Sequence, residues 1–305
     1  MTRRILVLMG GISREREVSL VSGAAVARAL RDSGHDVRTH DLSRDIGALV
    51  RDLERDRPEV VFNALHGRYG EDGCVQGLLE LLGIPYTHSG VRASAVAMDK
   101  PAAKRAVEQA GLRTPRGRVL RRADFAAGDP LPRPFVIKPV AEGSTIGVVV
   151  VGDGDNRDWS RDWSFGETAL AEEYVPGREL TVGVMGERAL AVTEIRFAGS
   201  AFGYREKYTP GHAEHVLPAP LPAATYAAAM DAALAAHRTL GCDGISRSDF
   251  RWDPQRPGTE GLFFLEINTQ PGFTPLSLVP EQARHLGIGF GQLCEWLVED
   301  ARCHA

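Results

Sequence analysis

Apolar and polar positions alternate along the first third of the chain in a pattern that predicts strands separated by helices. Apolar runs and segments of helical spacing follow one another over 5–9, 13–31, 37 onward, 49–53 and 60–66. Strands separated in this way favour a parallel sheet, with ligands at the carboxyl ends of the strands. Glu15 and His66 fall at such ends. Taken alone, Glu15 also fits a helix-start charge, and His66 a structural histidine.

Two apolar strands near the C-terminus, joined by the turn-rich segment 253–261, carry a set of polar residues and are predicted to form an antiparallel hairpin. Arg247 and Asp249 lie two positions apart and share one face of their strand, and so do Glu266 and Asn268. Carboxylate and amide oxygens suit Mg²⁺, which completes its shell with water and nucleotide phosphates. The pattern therefore predicts a magnesium-nucleotide site, with an ion-pair network on a solvated sheet as the alternative.

Lysine is rare in this chain, and its few positions are informative. Of 36 basic residues only four are lysine, namely Lys100, Lys104, Lys138 and Lys207. Lys138 ends an apolar strand and precedes the glycine-rich stretch 142–147, which lacks P-loop spacing and leads into another strand. This favours a strand–loop–strand flap over phosphates, although a plain tight hairpin fits the loop equally well. Helical spacing predicts one helix over 93–110, on which we expect Lys104 to be solvated.

Composition is typical of a globular protein with more than one domain. The 305 residues include 43% hydrophobic and 25% charged residues, with a net charge of −4. These values favour neither a nucleic-acid surface nor a basic membrane patch, and no apolar run approaches the ~18 residues of a membrane span. The four cysteines are scattered, which favours reduced thiols over disulfides or a zinc site. We therefore expect a cytoplasmic protein with no nucleic-acid or membrane partner.

Ordered motifs extend from the first strand to the last helix. They include Glu-Arg-Glu-Val-Ser at 15–19 and Leu-His-Gly at 65–67, and the full set covers 9–20, 64–73, 85–90, 98–100, 136–139, 142–145, 176–179, 207–208, 266–272 and 277–280. Together they resemble the D-alanine–D-alanine ligases of the ATP-grasp superfamily. The resemblance implies a three-domain α/β ATP-grasp architecture. Its parts are an N-terminal parallel α/β substrate domain over 1–92, a central lid domain over 93–178 and a catalytic domain over 179–305.

The resemblance also implies which residues hold the nucleotide and its metal ions. Contacts to ATP are implied for Lys100, Lys138, Ser144, Thr145, Glu172, Glu179 and Lys207. Among these, Lys100, Lys138 and the flap hydroxyls serve the phosphates, and the two carboxylates serve adenine and ribose. Two Mg²⁺ or Mn²⁺ ions are implied at Asp249, Glu266 and Asn268.

On the substrate side, Glu15 is implied as the anchor of the first ammonium group, linked by hydrogen bonds to Ser144 and Tyr208. His66 is implied near the first carboxylate. The remaining implied contacts are Arg247 and the Gly272 backbone at the oxyanion, with Ser277 and Leu278 around the second amino acid.

The activity implied by the resemblance is ATP-dependent joining of two D-alanine molecules through an acyl phosphate, for peptidoglycan precursor synthesis, by a homodimer. Tyr208 stands where relatives that make the D-lactate ester carry histidine, which favours dipeptide formation. Thr145 replaces a common serine, and Gly203 and Arg205 replace acidic residues often found before Lys207. Thr145 keeps the hydroxyl, whereas the changes at 203 and 205 affect lid control rather than the reaction.

Three alternative functions follow from the same residues. A ligase joining another pair, such as D-alanine to D-serine, stays open. A nucleotide-binding module without catalysis is disfavoured by the intact set of Arg247, Asp249, Glu266 and Asn268. A nicotinamide-dependent oxidoreductase is disfavoured because G-x-G-x-x-G is absent.

Overall fold

The first strands form a parallel sheet of order β2-β1-β3 in a computed structural model that describes residues 2–143, 147–159, 161–197 and 213–304. Its elements are β1 (Arg4–Gly10), α1 (Arg16–Asp32), β2 (Asp36–Leu42), α2 (Ile46–Asp56), β3 (Val60–Asn63) and α3 (Cys74–Leu82). Both strand pairs are parallel. The predicted parallel sheet is confirmed, and it places the segments that follow β1 and β3 at one edge.

The middle of the chain forms a four-stranded antiparallel sheet of order β4-β7-β5-β6. Its strands are β4 (Gly117–Arg121), β5 (Phe135–Pro139), β6 (Val149–Val151) and β7 (Thr168–Glu173), with a 3₁₀ helix over Arg122–Ala127. The strands predicted on either side of the glycine-rich stretch are confirmed as β5 and β6, and they pair antiparallel. Phe135, Ile137, Trp159 and Phe165 form the core of this sheet.

The last sheet has five antiparallel strands in the order β10-β9-β8-β11-β12. They are β8 (Arg178–Met185), β9 (Arg188–Phe197), β10 (Ala213–Val216), β11 (Ile245–Trp252) and β12 (Leu262–Asn268). The helices of this part are α6 (Ala223–Leu240), α7 (Leu278–His285) and α8 (Phe290–Asp300). Alanines of α6 pack on the sheet. The last helix, α8, packs against α1, and Leu297 and Val26 belong to one buried core.

The helix predicted over 93–110 is divided into α4 (Val91–Met98) and α5 (Lys100–Gln109). Asp99 separates them because its side chain accepts a hydrogen bond from the Ala102 backbone N–H at 2.9 Å, and a proline follows in the first turn of α5. Ala103 and Val107 of α5 share a core with Phe264 of the last sheet. The domain boundaries at 92 and 178 stay a prediction.

Two further expectations concern thiols and membranes. All four cysteines are free, as the scattered spacing predicts. Within the described ranges, no helix has the length and apolar character needed to cross a bilayer.

Candidate active site

The hairpin of β11 and β12 places all four predicted polar residues on one face. Asp249 lies directly opposite Glu266, and Arg247 lies opposite Asn268, with a register shift after Asp249. Arg247 donates to both carboxylate oxygens of Asp249, at 2.9 and 2.8 Å. The Thr181 hydroxyl on β8 donates to the same carboxylate at 2.6 Å. A buried carboxylate with three donor contacts is fixed in place.

The oxygen atoms of this face match the ligand preference of a hard divalent cation. Two carboxylates and an amide oxygen are available at Asp249, Glu266 and Asn268, and the Asn268 oxygen is held by the Gln270 backbone N–H at 2.7 Å. Across the described part of the chain, no cluster of three or more His, Cys, Asp or Glu side chains could enclose a metal ion alone. The residues therefore fit magnesium that shares its shell with phosphate and water.

A second charged group lies on the sheet formed by β5 and β7. Glu172 sits between two ammonium groups, with Lys138 Nζ 2.6 Å from its Oε2 and Lys104 paired with its Oε1. Although burial opposes ionisation, the charges of Lys138 and Lys104 hold the pKa of Glu172 below its usual range. The expectation that Lys104 is solvated is wrong, because α5 turns this side chain inward onto β7.

Two adjoining cavities lead away from these charges. The smaller is lined by Lys138, Glu172 and Glu179 together with apolar side chains of β5 and β6. Four residues line both cavities, namely Lys100, Glu142, Asp249 and Glu266. Lys100 Nζ donates to the Glu142 carbonyl at 2.6 Å and lies 3.2 Å from Glu266 Oε2. This shared set marks where the two cavities adjoin.

The larger cavity, of about 500 Å³, collects the predicted substrate residues. They are Glu15, His66, Arg247, Gly272, Ser277 and Leu278. Glu15 is buried at the start of α1, beside Gly67. Gly67 has φ +70°, and a Cβ there would lie 2.6 Å from Glu15 Oε2, so a side chain at this position would displace the carboxylate.

His66 is held from both sides. Its Nε2 lies 3.1 Å from the Ser22 hydroxyl, and its Nδ1 lies 3.4 Å from Glu71 Oε1. Ser22 also accepts a hydrogen bond from the Phe273 backbone N–H at 3.4 Å, next to Gly272. At the other end of this loop, the Ser277 hydroxyl accepts from the Thr274 backbone N–H at 2.9 Å. These contacts connect the histidine with the loop that carries Gly272.

Comparison with known proteins assigns the chain to a family. Sequence models described as the D-ala D-ala ligase N-terminus and C-terminus match residues 45–89 and 107–299. A D-alanine–D-alanine ligase of Acidiphilium cryptum is 55% identical over 303 residues, covering 99% of both chains. One from Granulibacter bethesdensis is 54% identical over 305 residues, again covering 99% of each. This chain belongs to the D-alanine–D-alanine ligase family.

Solved structures agree with that assignment to the D-alanine–D-alanine ligase family. A Bacillus anthracis D-alanine–D-alanine ligase complexed with ATP has a TM-score of 0.82 and 30% identity, covering 98% of this chain and 97% of that one. The VanG D-Ala:D-Ser ligase of Enterococcus faecalis has a TM-score of 0.80 and 29% identity, covering 98% and 99%. The ATP-grasp α/β fold class is therefore confirmed.

Some predicted residues of this ligase-family site lie outside the described residues, and others were missed. Ser144, Thr145, Lys207 and Tyr208 lie outside, so their roles stay predictions. Sequence reasoning missed Glu71, although it stands inside the 64–73 motif. It also missed Lys104, although this residue lies one helical turn from Lys100 and therefore on the same face of α5.

Proposed function

We propose that this chain joins two molecules of D-alanine into D-alanyl-D-alanine with ATP as the energy source, supplying a peptidoglycan precursor. The single observation that supports this most strongly is the set shared by the two cavities, Lys100, Glu142, Asp249 and Glu266. A nucleotide in the smaller cavity and an amino acid in the larger one meet at these residues. Phosphoryl transfer between bound substrates depends mainly on such positioning and on nearby cations.

The nucleotide half uses the smaller cavity. Apolar side chains of β5 and β6 cover the adenine. Glu179 and Glu172 contact the polar groups of the nucleoside. Lys138 and Lys100 contact the phosphates. Asp249, Glu266 and Asn268 would hold two magnesium or manganese ions. When bound, such ions neutralise charge that develops on the transferring phosphoryl group. The relative from Bacillus anthracis that was solved with ATP supports nucleotide use.

The substrate half uses the larger cavity. Glu15 pairs with the ammonium of the first D-alanine, which selects amino acids over simple carboxylic acids. An oxygen of the carboxylate of this first D-alanine attacks the γ-phosphorus of ATP, and the bond between that phosphorus and the ADP oxygen breaks. The ammonium of the second D-alanine loses one proton to solvent, and its amine then attacks the carbonyl carbon. Phosphate leaves with the carboxylate oxygen, and the nitrogen loses a second proton as the amide forms with one N–H. Arg247 and the Gly272 backbone N–H stabilise the oxyanion that exists after the amine attacks and before phosphate leaves.

The second amino acid is the least constrained part of the proposal. Ser277 and Leu278 line the region of the cavity that we assign to it. A D-serine acceptor is the alternative, because the VanG structural neighbour is a D-Ala:D-Ser ligase. We further propose a homodimer that works in the cytoplasm, without nucleic-acid or membrane partners.

A product assay tests the proposal. The protein is incubated with ATP, Mg²⁺ and D-alanine, L-alanine, D-serine or D-lactate, alone and in pairs, and products are identified by mass. We expect ADP, phosphate and D-alanyl-D-alanine from D-alanine alone, with little ester from D-lactate. Equal turnover with L-alanine, or none with D-alanine, would contradict the proposal. A dominant mixed dipeptide when D-serine is present would support the alternative.

A further inference from the structure

Three buried charges beside the smaller cavity leave one unit of positive charge. Lys104, Glu172 and Lys138 are 5%, 2% and 6% exposed, and each carboxylate oxygen of Glu172 pairs with one of the two lysines. Two ammonium groups and one carboxylate sum to +1. Without Lys104, the remaining pair of Lys138 and Glu172 would be neutral. In a buried site of low effective dielectric, that difference is felt strongly by a nearby anion.

Lys104 influences the smaller cavity through a residue that lines it, not by lining it directly. Lys138 and Glu172 are among the residues that line the smaller cavity, whereas Lys104 is not among the described residues that line either one. Burial lowers the pKa of Lys104 to about 8, the charge of Lys138 acts in the same direction, and Glu172 opposes both. The ammonium therefore remains mostly charged at neutral pH while it is shielded from water.

The strand register explains why these residues meet. Lys138 on β5 is paired with Leu170 on β7, and Glu172 is paired with Val136, so Lys138 and Glu172 are diagonal neighbours on one face. Lys104 reaches the same carboxylate from α5, the helix whose first residue is Lys100. One rigid helix thus sets the position of Lys100 at the shared edge of the two cavities and of Lys104 behind Glu172.

We propose that Lys104 is a positioning residue for nucleotide phosphate. By pairing with one oxygen of Glu172, it offsets the negative charge of that carboxylate and leaves the charge of Lys138 available to the phosphates. The inference rests on the proposed function, in which Lys138 contacts phosphate. The group recognised in this way is the polyphosphate of a nucleotide, not its base or ribose.

The test compares ADP with adenosine, which lacks the phosphates. Affinities for both are measured by calorimetry or ligand-observed NMR, and the ratio of the two affinities isolates the phosphate contribution. In K104M the net charge falls to zero, and we expect the ADP-to-adenosine ratio to fall about tenfold. K104R keeps the cation and should stay within about threefold of wild type. R105M removes an exposed cation from the same helix and should leave the ratio unchanged.

A double variant separates charge from packing. K104M/E172Q keeps Lys138 but removes the carboxylate, so the net charge returns to +1 and the ratio should recover most of the loss seen in K104M. A purely structural Lys104 would instead give a double variant as weak as K104M, and that result would overturn the proposal, as would a K104M ratio equal to wild type. Glu172 keeps Lys138 as its partner in K104M, so the buried carboxylate is not left unpaired.

Different results would contradict the proposed function and the role of Lys104. These affinities do not depend on turnover, so they can support the role of Lys104 even if the product assay gives another dipeptide. A wild-type protein that binds ADP no more tightly than adenosine would contradict the phosphate role of Lys138 itself.

Discussion

The two charged walls of the cleft are built in different ways. The acidic wall, formed by Asp249, Glu266 and Asn268, comes from one hairpin whose strands pair directly. The basic wall, formed by Lys138 and Glu172 with Lys104 paired to Glu172 outside the cavity lining, comes from a helix and two strands. Lys104 lies 68 residues before the carboxylate it contacts. The acidic wall is therefore set by local strand geometry, whereas the basic wall requires α5 to dock against another sheet.

This difference suggests that the two walls contribute to different steps. In the acidic wall, Arg247 and Thr181 hold the Asp249 carboxylate so that its geometry is fixed before substrates arrive. In the basic wall, the balance of charge depends on whether both lysines reach Glu172. Changes to the acidic wall should affect chemistry first, and changes to the basic wall should affect nucleotide affinity first.

Removing charge from the acidic wall should have the largest effect. Glu266→Gln preserves size but removes the negative charge of a residue that lies opposite Asp249 and 3.2 Å from Lys100. We expect the rate of dipeptide formation to fall at least ~100-fold, since a metal ion at the transferring phosphoryl group supplies several kcal/mol of transition-state stabilisation. The measurement is kcat with saturating ATP, Mg²⁺ and D-alanine.

Glu299→Gln is the matched control, because Glu299 is exposed on α8 and is not among the described residues that line either cavity. Its rate should equal that of the unmodified protein. A Glu266→Gln protein that retains activity within a few-fold would show that the metal ions bind elsewhere.

A smaller effect concerns the pH dependence of the free energy of unfolding. It contrasts a buried charged group that has partners, Glu172, with a buried neutral group, His88. Glu172 keeps its charge because two lysines contact it, whereas neither ring nitrogen of His88 has a hydrogen-bond partner among the described residues. Burial, together with the nearby His66, lowers the pKa of His88 to about 3. The unfolded chain takes up a proton at this histidine below pH 6.5 and the folded protein does not, so this contribution to stability is lost as the pH falls.

His88→Asn removes that titration and suits the backbone, since His88 has φ +72° and asparagine tolerates this region. Between pH 7 and pH 5, the free energy of unfolding of the unmodified protein should decrease by about 2 kcal/mol more than that of the variant. Urea unfolding at both pH values measures this. His285→Asn changes an exposed histidine and is the control. Parallel pH dependences for His88→Asn and the unmodified protein would refute the buried neutral histidine.

Sequence patterns were sufficient to predict which residues form the acidic wall, but not which residues form the basic wall. The reason is physical. Alternation along a strand shows which residues share a face, so Asp249 and Glu266 could be placed together once the hairpin was predicted. Helical spacing shows that Lys104 shares a face with Lys100, but not which sheet that face meets. The same limit applies to Glu71, whose contact with His66 depends on the turn after β3.

Helix boundaries show a related limit. Periodicity continues from α4 into α5, so it predicts one helix, while the break depends on Asp99 capping the second segment. The sequence Asp99-Lys100-Pro101 carries that signal, because aspartate before a proline in the first turn is typical of a helix start.

Transfer of an oxygen atom from D-alanine to phosphate tests the junction of the two cavities most directly. The protein is given ATP, Mg²⁺ and D-alanine labelled with ¹⁸O in both carboxylate oxygens, and the released phosphate is analysed by mass. If the carboxylate attacks the γ-phosphorus and the amine then displaces phosphate, each phosphate should carry one ¹⁸O atom for each dipeptide formed. Unlabelled phosphate, or label found in AMP, would contradict an acyl phosphate formed where Lys100, Glu142, Asp249 and Glu266 join the two cavities.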